Sequence, residues 1–194
     1  GDEHPCWLDL DLLIEDYGTK LKEPTFSFAK DVLKHKIYNV TPDEVAEILL
    51  EEPIAIFQSR SEQGQRGLGN RSMLMSPIHK KAHEKINAIK KREWFRPFAC
   101  SILKEHAKEW FEMPIEESPY MMYVFKIKKE GVLQTGLSKN NDSRIQTVSK
   151  KTNLHYYNLI KAFYKVTKIP IVINTSLNLP GEVLVETMHD LKDL

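Results

Sequence analysis

Cysteine is nearly missing from this chain: Cys6 and Cys100 are the only two among 194 residues. No disulfide framework can be built from them, and a reducing cytoplasm is the simplest setting. Net charge is just as scarce, since 28 Lys and Arg against 27 Asp and Glu leave only +1. A general nucleic-acid coat is thereby excluded, because positive charge is local to the middle and is offset by acids such as Asp9, Asp11, Glu15 and Asp16. No apolar run approaches the roughly 18 residues that span a bilayer. The acidic N-terminus also lacks the basic and apolar regions of a signal peptide, so a soluble protein without membrane contact is expected. Repeats, low-complexity tracts and a Ser/His/Asp order suited to a hydrolase are absent too. With 41% hydrophobic residues, the length suits a single domain with a real core.

Glycine numbers only eight, yet Gly64, Gly67 and Gly69 fall together in the stretch RSEQGQRGLGNRSMLMSP. Arg60, Arg66 and Arg71 accompany them, and Lys90, Lys91, Arg92 and Arg96 follow in NAIKKREWFRPFA. Glycines that reach positive φ let backbone N–H groups approach a ligand. Arginine adds a fork matching two phosphate or carboxylate oxygens, and lysine a mobile point charge. Taken alone, Lys90-Lys91-Arg92 reads as a solvated helix end, where cations complement the dipole. Beside the glycine and arginine loop it reads instead as a site for a polyanionic small molecule, most simply a nucleotide.

In chain order, residues 1–40 show no strong period and read as an arm or linker, in which FSFAKDVLKHKI has a short amphipathic pattern. Thr41-Pro42-Asp43-Glu44 predicts a helix start with a capping box, with Val45, Ile48 and Leu49 inward. After Pro53, Ile54 to Phe57 predicts an apolar strand that empties into the glycine loop. Ser72 to Met75 predicts a second strand. His79 to Ile89 predicts a helix burying Ala82, Ile86 and Ile89 and carrying Lys90 to the loop. His79 and His83 are four apart, but no third ligand of fixed spacing accompanies them, so no metal site is predicted. Phe98 to Leu103 is another apolar run, His106 to Phe111 a short helix with Trp110 and Phe111 in the core, and Met121 to Lys128 a half-buried strand. Lys129 to Asn141 reads as a polar loop. Asn153 caps a helix over 154–167, with Tyr156, Leu159, Ile160, Phe163 and Thr167 as its core stripe. Ile169 to Ile173 predicts a strand leading into NTSLNLPGE, a tight polar turn whose hydroxyls and amides face a ligand or merely join Val172 to Val185. Thr187 with Asp190 caps a last helix that the chain leaves barely one turn long, so a truncated boundary is expected.

The segments RSEQGQRGLGNRSML, NAIKKREWFRPFA, SPYMMYVFKI, RIQTVS and IPIVINTSLNLPGE stand in the order and approximate spacing of the C-terminal domain of the nodulation and antibiotic O-carbamoyltransferase family. The resemblance covers Val45 to about Leu191 and implies one domain over 41–194. The implied fold is α/β: a YrdC-like twisted mixed sheet with flanking helices, enclosing a positively charged cavity. Signatures of the related threonylcarbamoyl-adenylate synthases look similar to Lys91-Arg92 and Thr175-Ser176-x-Asn178.

The implied function is binding of ATP, with Mg2+, and of carbamoyl phosphate, to form carbamoyl-adenylate with release of pyrophosphate. A Kae-type N-terminal half, in the same or another chain, then passes the carbamoyl group to a hydroxyl acceptor. The resemblance assigns Lys90, Arg96, Arg66 and Ser176 to catalysis. Nucleotide and phosphate binding falls to Lys91, Arg92, Arg144, Asn174, Thr175 and Asn178, and carbamoyl phosphate binding to Arg66, Asn70 and Arg71. Where members usually read GPRALGNRS, Gln65 and Gly67 replace proline and alanine, which loosens the loop. Ser138, Asn140 and Asn141 replace a usual His and Asp-Gly, and Pro180 a usual arginine. A noncatalytic nucleotide-binding or interaction module with the same fold therefore stays open as the alternative, and a homodimer is also admitted. An RNA-facing protein fits less well, because net charge is near neutral and there is no exposed basic stripe with stacking aromatics, Trp94 and Phe95 sitting within one motif only.

Overall fold

The computed structural model describes residues 40–192. The expected arm and its amphipathic segment lie outside the described residues. The first described element, α1 (Pro42–Glu51), opens with the expected capping box: Thr41 N–H donates to Glu44 Oε2 at 2.7 Å and Glu44 N–H to Thr41 Oγ1 at 3.3 Å. Its inward residues are Ala46 and Leu49, with Val45 and Ile48 half-buried beside them. There follow β1 (Ile54–Phe57), β2 (Arg71–Met75), α2 (Ala82–Lys90), β3 (Ala99–Leu103), a 3-10 turn over Lys104–His106 and α3 (Ala107–Trp110). The chain then continues through β4 (Val124–Lys126), β5 (Asp142–Val148), α4 (Leu154–Thr167), β6 (Ile171–Ser176) and α5 (Met188–Lys192).

The strands form one open, twisted sheet in the order β1-β2-β6-β3-β5-β4, in which only β3 and β5 run parallel. Both faces of its centre are covered, so its strands read as continuous rather than alternating apolar runs. On one face Leu74, Leu103, Val148 and Val172 pack under α1 and α4, chiefly against Leu49, Tyr156, Ile160 and Phe163. On the other, Cys100, Ile102, Ile145 and Ile171 pack with Trp110, Phe111, Phe125 and Ile127, and Met75 and Ile173 pack with Ala82, Ile86 and Phe98 of the α2 region.

Several expectations are revised. The strand expected over Met121 to Lys128 shrinks to β4, because Met121 sits at φ 53° and Ile127 makes only a lone bridge to Phe111. The Lys129 to Asn141 loop is polar but not uniformly exposed: Leu133 is buried in the core. RIQTVS, read only as a motif, is most of β5. The strand over Ile169 to Ile173 starts later and runs on to Ser176, so Asn174, Thr175 and Ser176 belong to a strand and the turn begins after them. Asn153 caps α4 as expected, its side chain accepting from Tyr156 N–H.

The sheet changes character toward one end. Past Val172, Leu103 and Val148, the same face carries Asn174, Ser101 and Gln146, buried and bonded to one another. The glycine loop lies across this polar end.

Gly69 is the one loop glycine in the left-handed region, at φ 111°, and a Cβ there would stand 2.2 Å from the Tyr156 ring. Gly69→Ala combines backbone strain with overpacking and should cost roughly 2–4 kcal/mol. Urea unfolding checks this; a loss under about 0.5 kcal/mol, the range of a neutral surface change, would mean that the ring does not close over this turn.

Candidate functional site

The loop joining β1 to β2 is held by its backbone. Three successive carbonyls are each taken by a buried side-chain amide from a different part of the sheet. Asn174 Nδ2 donates to Gly67 O at 3.2 Å, Gln146 Nε2 to Leu68 O at 2.7 Å and Gln58 Nε2 to Gly69 O at 2.7 Å. The following N–H groups are taken as well. Glu62 Oε1 accepts from Leu68 at 2.6 Å and from Asn70 at 2.9 Å, and Ser72 Oγ accepts from Gly69 at 2.9 Å. This corrects the expectation for Gly69, whose N–H is taken by Ser72, while the Glu62 carboxylate takes the N–H groups on either side of it. The loop offers side chains instead.

Arg71 and Asn70 belong to the same scaffold. Arg71 is buried, its guanidinium lying over the Phe57 ring and donating to the carbonyls of Gln58, Ser59, Asn70 and Glu186 at 2.6–3.1 Å. Asn70 donates from Nδ2 to Arg60 O and accepts at Oδ1 from Asn153. Neither is presented to a ligand, and gripping one would cost these bonds. Asn174 is likewise buried, and Thr175 sits buried in β6 opposite Met73.

A second cluster forms where α2 ends. The helix does not carry Lys90 to the glycine loop; it carries it to the segment after β6. Lys90 is 2% exposed, and its Nζ donates to Ser176 O at 2.9 Å, Asn178 O at 2.7 Å and Asn178 Oδ1 at 2.6 Å. Asn178 Oδ1 also accepts from Ser176 Oγ at 2.7 Å, and its amide donates to Glu182 O. Dipoles rather than a carboxylate therefore meet this buried ammonium. Burial first, and then Arg92, pulls it down to about 8.

Asn87 shapes the helix end. Its backbone carbonyl accepts from Lys91, which turns through φ 44°, and its side chain bonds both N–H and C=O of Arg92. Lys90, Lys91, Arg92, Glu93 and Arg96 thus line one wall of an open pocket of about 310 Å³, whose other wall is Asn178, Leu179, Pro180 and Gly181.

Further cations approach the rim. Arg144 is held below the ordinary guanidinium range by burial first and then by neighbouring Arg66 and Arg96, and Arg92 by burial and then Arg96, with Glu93 opposing. Among the described residues, no hydrogen bond or ion pair engages the guanidinium of Arg66 or Arg144. Arg96 has only Glu93, at 3.7 Å. Like charges crowded this way have one inexpensive partner, an anion that bridges them.

Of the expected site residues, Lys90, Lys91, Arg92, Arg96, Ser176 and Asn178 are brought together, with Arg66 and Arg144 close by. Asn70, Arg71, Asn174 and Thr175 lie behind them. Reasoning from sequence missed Glu62, Gln58, Ser101, Gln146 and Asn87. A lone acid between Arg60 and Arg66, and a glutamine inside RIQTVS, were the available signals. Among the described residues no group of three His, Cys, Asp or Glu side chains could hold a metal. His79 faces Glu51, and His83 faces Arg96 O and the Phe98 ring. No helix in this range is long and apolar enough to cross a membrane.

Fold and site together define an α/β domain with a mixed sheet and an open pocket walled on one side by Lys90, Lys91, Arg92 and Arg96. Residues 45–194 match the family described as Carbamoyltransferase C-terminus, and the chain belongs to that family. It is 44% identical over 142 residues to nodulation protein NolO of Bradyrhizobium diazoefficiens, covering 71% of this chain and 26% of that protein. It is 33% identical over 138 residues to a 3'-hydroxymethylcephem-O-carbamoyltransferase of Amycolatopsis lactamdurans, again covering 71% of this chain and 26% of the relative. The chain spans about a quarter of the length of these curated relatives. A crystal structure of full-length HypF in its phosphate- and nucleotide-bound form superposes with TM-score 0.55 at 21% identity, over 80% of this chain and 24% of that one. At that identity the likeness concerns the fold, and the YrdC-like expectation is met.

With Lys90 in the pocket wall, anion affinity should follow its protonation. The ammonium is charged below about 8 and neutral above, so the advantage of wild type over Lys90→Met for inorganic pyrophosphate should shrink as pH rises from 7 to 10. Calorimetric titration of both proteins cancels the ligand's own ionisation. A constant ratio across that range would show that the Lys90 charge does not act on the bound anion.

Proposed function

We propose that this domain binds ATP and carbamoyl phosphate and forms carbamoyl-adenylate, which a Kae-type N-terminal half then uses to carbamoylate a hydroxyl acceptor. The observation that carries the reading is that Lys90, Lys91, Arg92 and Arg96 line one open pocket with Arg144 and Arg66 nearby, and that burial first and then neighbouring cations hold Lys90, Arg92 and Arg144 below their ordinary ranges. Family membership supplies the carbamoyl chemistry, and the nucleotide is this domain's share of it.

Water first cleaves carbamoyl phosphate to carbamate and inorganic phosphate. A carbamate oxygen then bonds the α-phosphorus as the bond to the pyrophosphate oxygen breaks. Two repelling anions must be held in line while charge moves onto the leaving group, so fixed cations are the main requirement. Arg92, fixed by Asn87, and Lys91 hold the phosphates together with the Ser176 hydroxyl, while Lys90, whose three protons are taken by Ser176 and Asn178, adds its charge from behind the wall. Arg96 neutralises the leaving pyrophosphate. Arg66, delivered by the pinned loop, faces the carbamate end, and Arg144 closes the far side. Asn70, Arg71, Asn174 and Thr175 act through the scaffold rather than on the substrates. With no carboxylate cluster among the described residues to hold it, Mg2+ would arrive on the triphosphate and shield its charge there.

Each charge-assisted contact is worth roughly 1.5–3 kcal/mol, so Arg96→Ala or Arg66→Ala should lower turnover about tenfold or more. The assay is pyrophosphate release by the 194-residue chain from Mg-ATP, with and without carbamoyl phosphate. Release that depends on carbamoyl phosphate and falls in both variants is the expected result. Saturable ATP binding with no release, even when the N-terminal half of a relative is added, would instead leave the noncatalytic module standing.

A further inference from the structure

The turn between Glu93 and Arg96 is closed by Arg96 N–H donating to Glu93 O at 3.0 Å and by the ion pair between the two side chains at 3.7 Å. Both ends of the turn line the cationic pocket. Its two corners are Trp94 and Phe95, 76% and 64% exposed, with ring centroids 6.0 Å apart at an interplanar angle of 87°. Leaving two large rings in water forgoes substantial burial. Here they are not scattered along the surface: they stand on one closed turn whose two ends line the pocket, each within two residues of a cation that lines it.

We propose that Trp94 is the platform on which the base of the bound nucleotide stacks, with Phe95 bracing it edge-on. This rests on the nucleotide reading given above. Three features favour a base over a protein partner as occupant. The platform is two rings on one short turn, sized for one bicyclic base rather than for an extended interface. The ring that would carry the base is flanked in sequence by Arg92 and Arg96, so a ligand whose phosphates sit between these cations leaves its sugar and base to emerge at the mouth. The turn is also fixed by its own hydrogen bond and ion pair, so little ordering is required on binding. Tyr120, Met122, Tyr123 and Val124, also exposed, lie at and just before the start of β4, where Val124 pairs with Arg144, and none of them adjoins a pocket-lining residue in sequence.

Binding of Mg-ATP and of magnesium tripolyphosphate, which has the phosphates without sugar or base, distinguishes the parts. Wild-type chain should bind ATP more tightly than tripolyphosphate. Trp94→Ala should weaken ATP roughly tenfold, in keeping with base stacking on aromatic side chains, and leave tripolyphosphate unchanged. Trp94→Phe should keep most of the affinity while losing the quenching of tryptophan fluorescence that ATP causes. Equal loss of both ligands in Trp94→Ala, or an unchanged ATP affinity, overturns the platform while leaving the phosphate site intact. The platform also falls if Tyr123→Ala, rather than Trp94→Ala, selectively weakens ATP. If wild type binds neither ligand, the nucleotide reading itself falls and the platform with it.

Discussion

Everything at the site depends on the pinning of one four-residue stretch of backbone. Between Gly67 and Asn70 the carbonyls are claimed by Asn174, Gln146 and Gln58 and the N–H groups by Glu62 and Ser72. Each of these contacts is an ordinary hydrogen bond with a modest net value, but buried amides and backbone groups left unpaired would each cost about 1–3 kcal/mol. The arrangement is therefore close to all-or-none. Its members come from β6, β5, the end of β1 and the loop itself, so the sheet order must be complete before the loop has a place. Arg71 extends the same logic, tying the start of β2 to Gln58, Ser59 and Glu186.

A rigid floor is what a cluster of like charges requires. Arg144 is repelled by both Arg66 and Arg96, and Lys90 is buried against carbonyl and amide dipoles rather than a carboxylate. A flexible scaffold would relax by letting the arginines swing into water. Here Asn87 fixes the helix end and the pinned stretch 67–70 directly follows Arg66, so part of the repulsion persists in the folded chain. Reorganisation done during folding is not needed during binding, and donors aimed in advance at developing charge are the general form of electrostatic catalysis. The neutral cage has a second consequence: Asn178 touches Lys90, Ser176 and Glu182 at once, so its displacement would disturb both walls of the pocket.

Much of this was legible in the sequence, and the failures have a common cause. Capping chemistry and period located α1, α4 and the apolar strands, because those signals act locally. β5 was passed over because Arg144, Gln146 and Thr147 interrupt its apolar run; they are polar since this end of the sheet carries the site, not because the segment is a loop. For the same reason β6 was cut short at Asn174. Lys90 was placed at the wrong loop because its burial is decided by Ser176 and Asn178, 86 and 88 positions away. The basic residues were found readily, since unpaired cations are conspicuous. The neutral residues that hold them were not, because Gln58, Gln146 and Asn87 look like any other surface amide until the partners are in place.

The departures from the family pattern look different once geometry replaces spacing. Gly67, expected to loosen the loop, stands where a Cβ would meet Arg71 O at 2.4 Å and Ser72 Oγ at 2.8 Å; its lack of a side chain lets the loop lie tightly on β2 and β6. Gln65 is exposed, and its change from proline touches nothing in the floor. Pro180 has the greater consequence. It lines the pocket between Leu179 and Gly181, so the wall facing Lys90 and Arg96 offers a backbone turn and an amide but no positive charge. On the proposed reading phosphate would therefore be held from one side, by contacts that weaken with salt as surface electrostatics do. A ligand that also makes uncharged contacts at the mouth gains relative to one that is only phosphate. Losing one cation from a crowded array also lessens its repulsion, so a domain that binds as proposed would give up some grip on highly charged anions for a site that is less costly to fold.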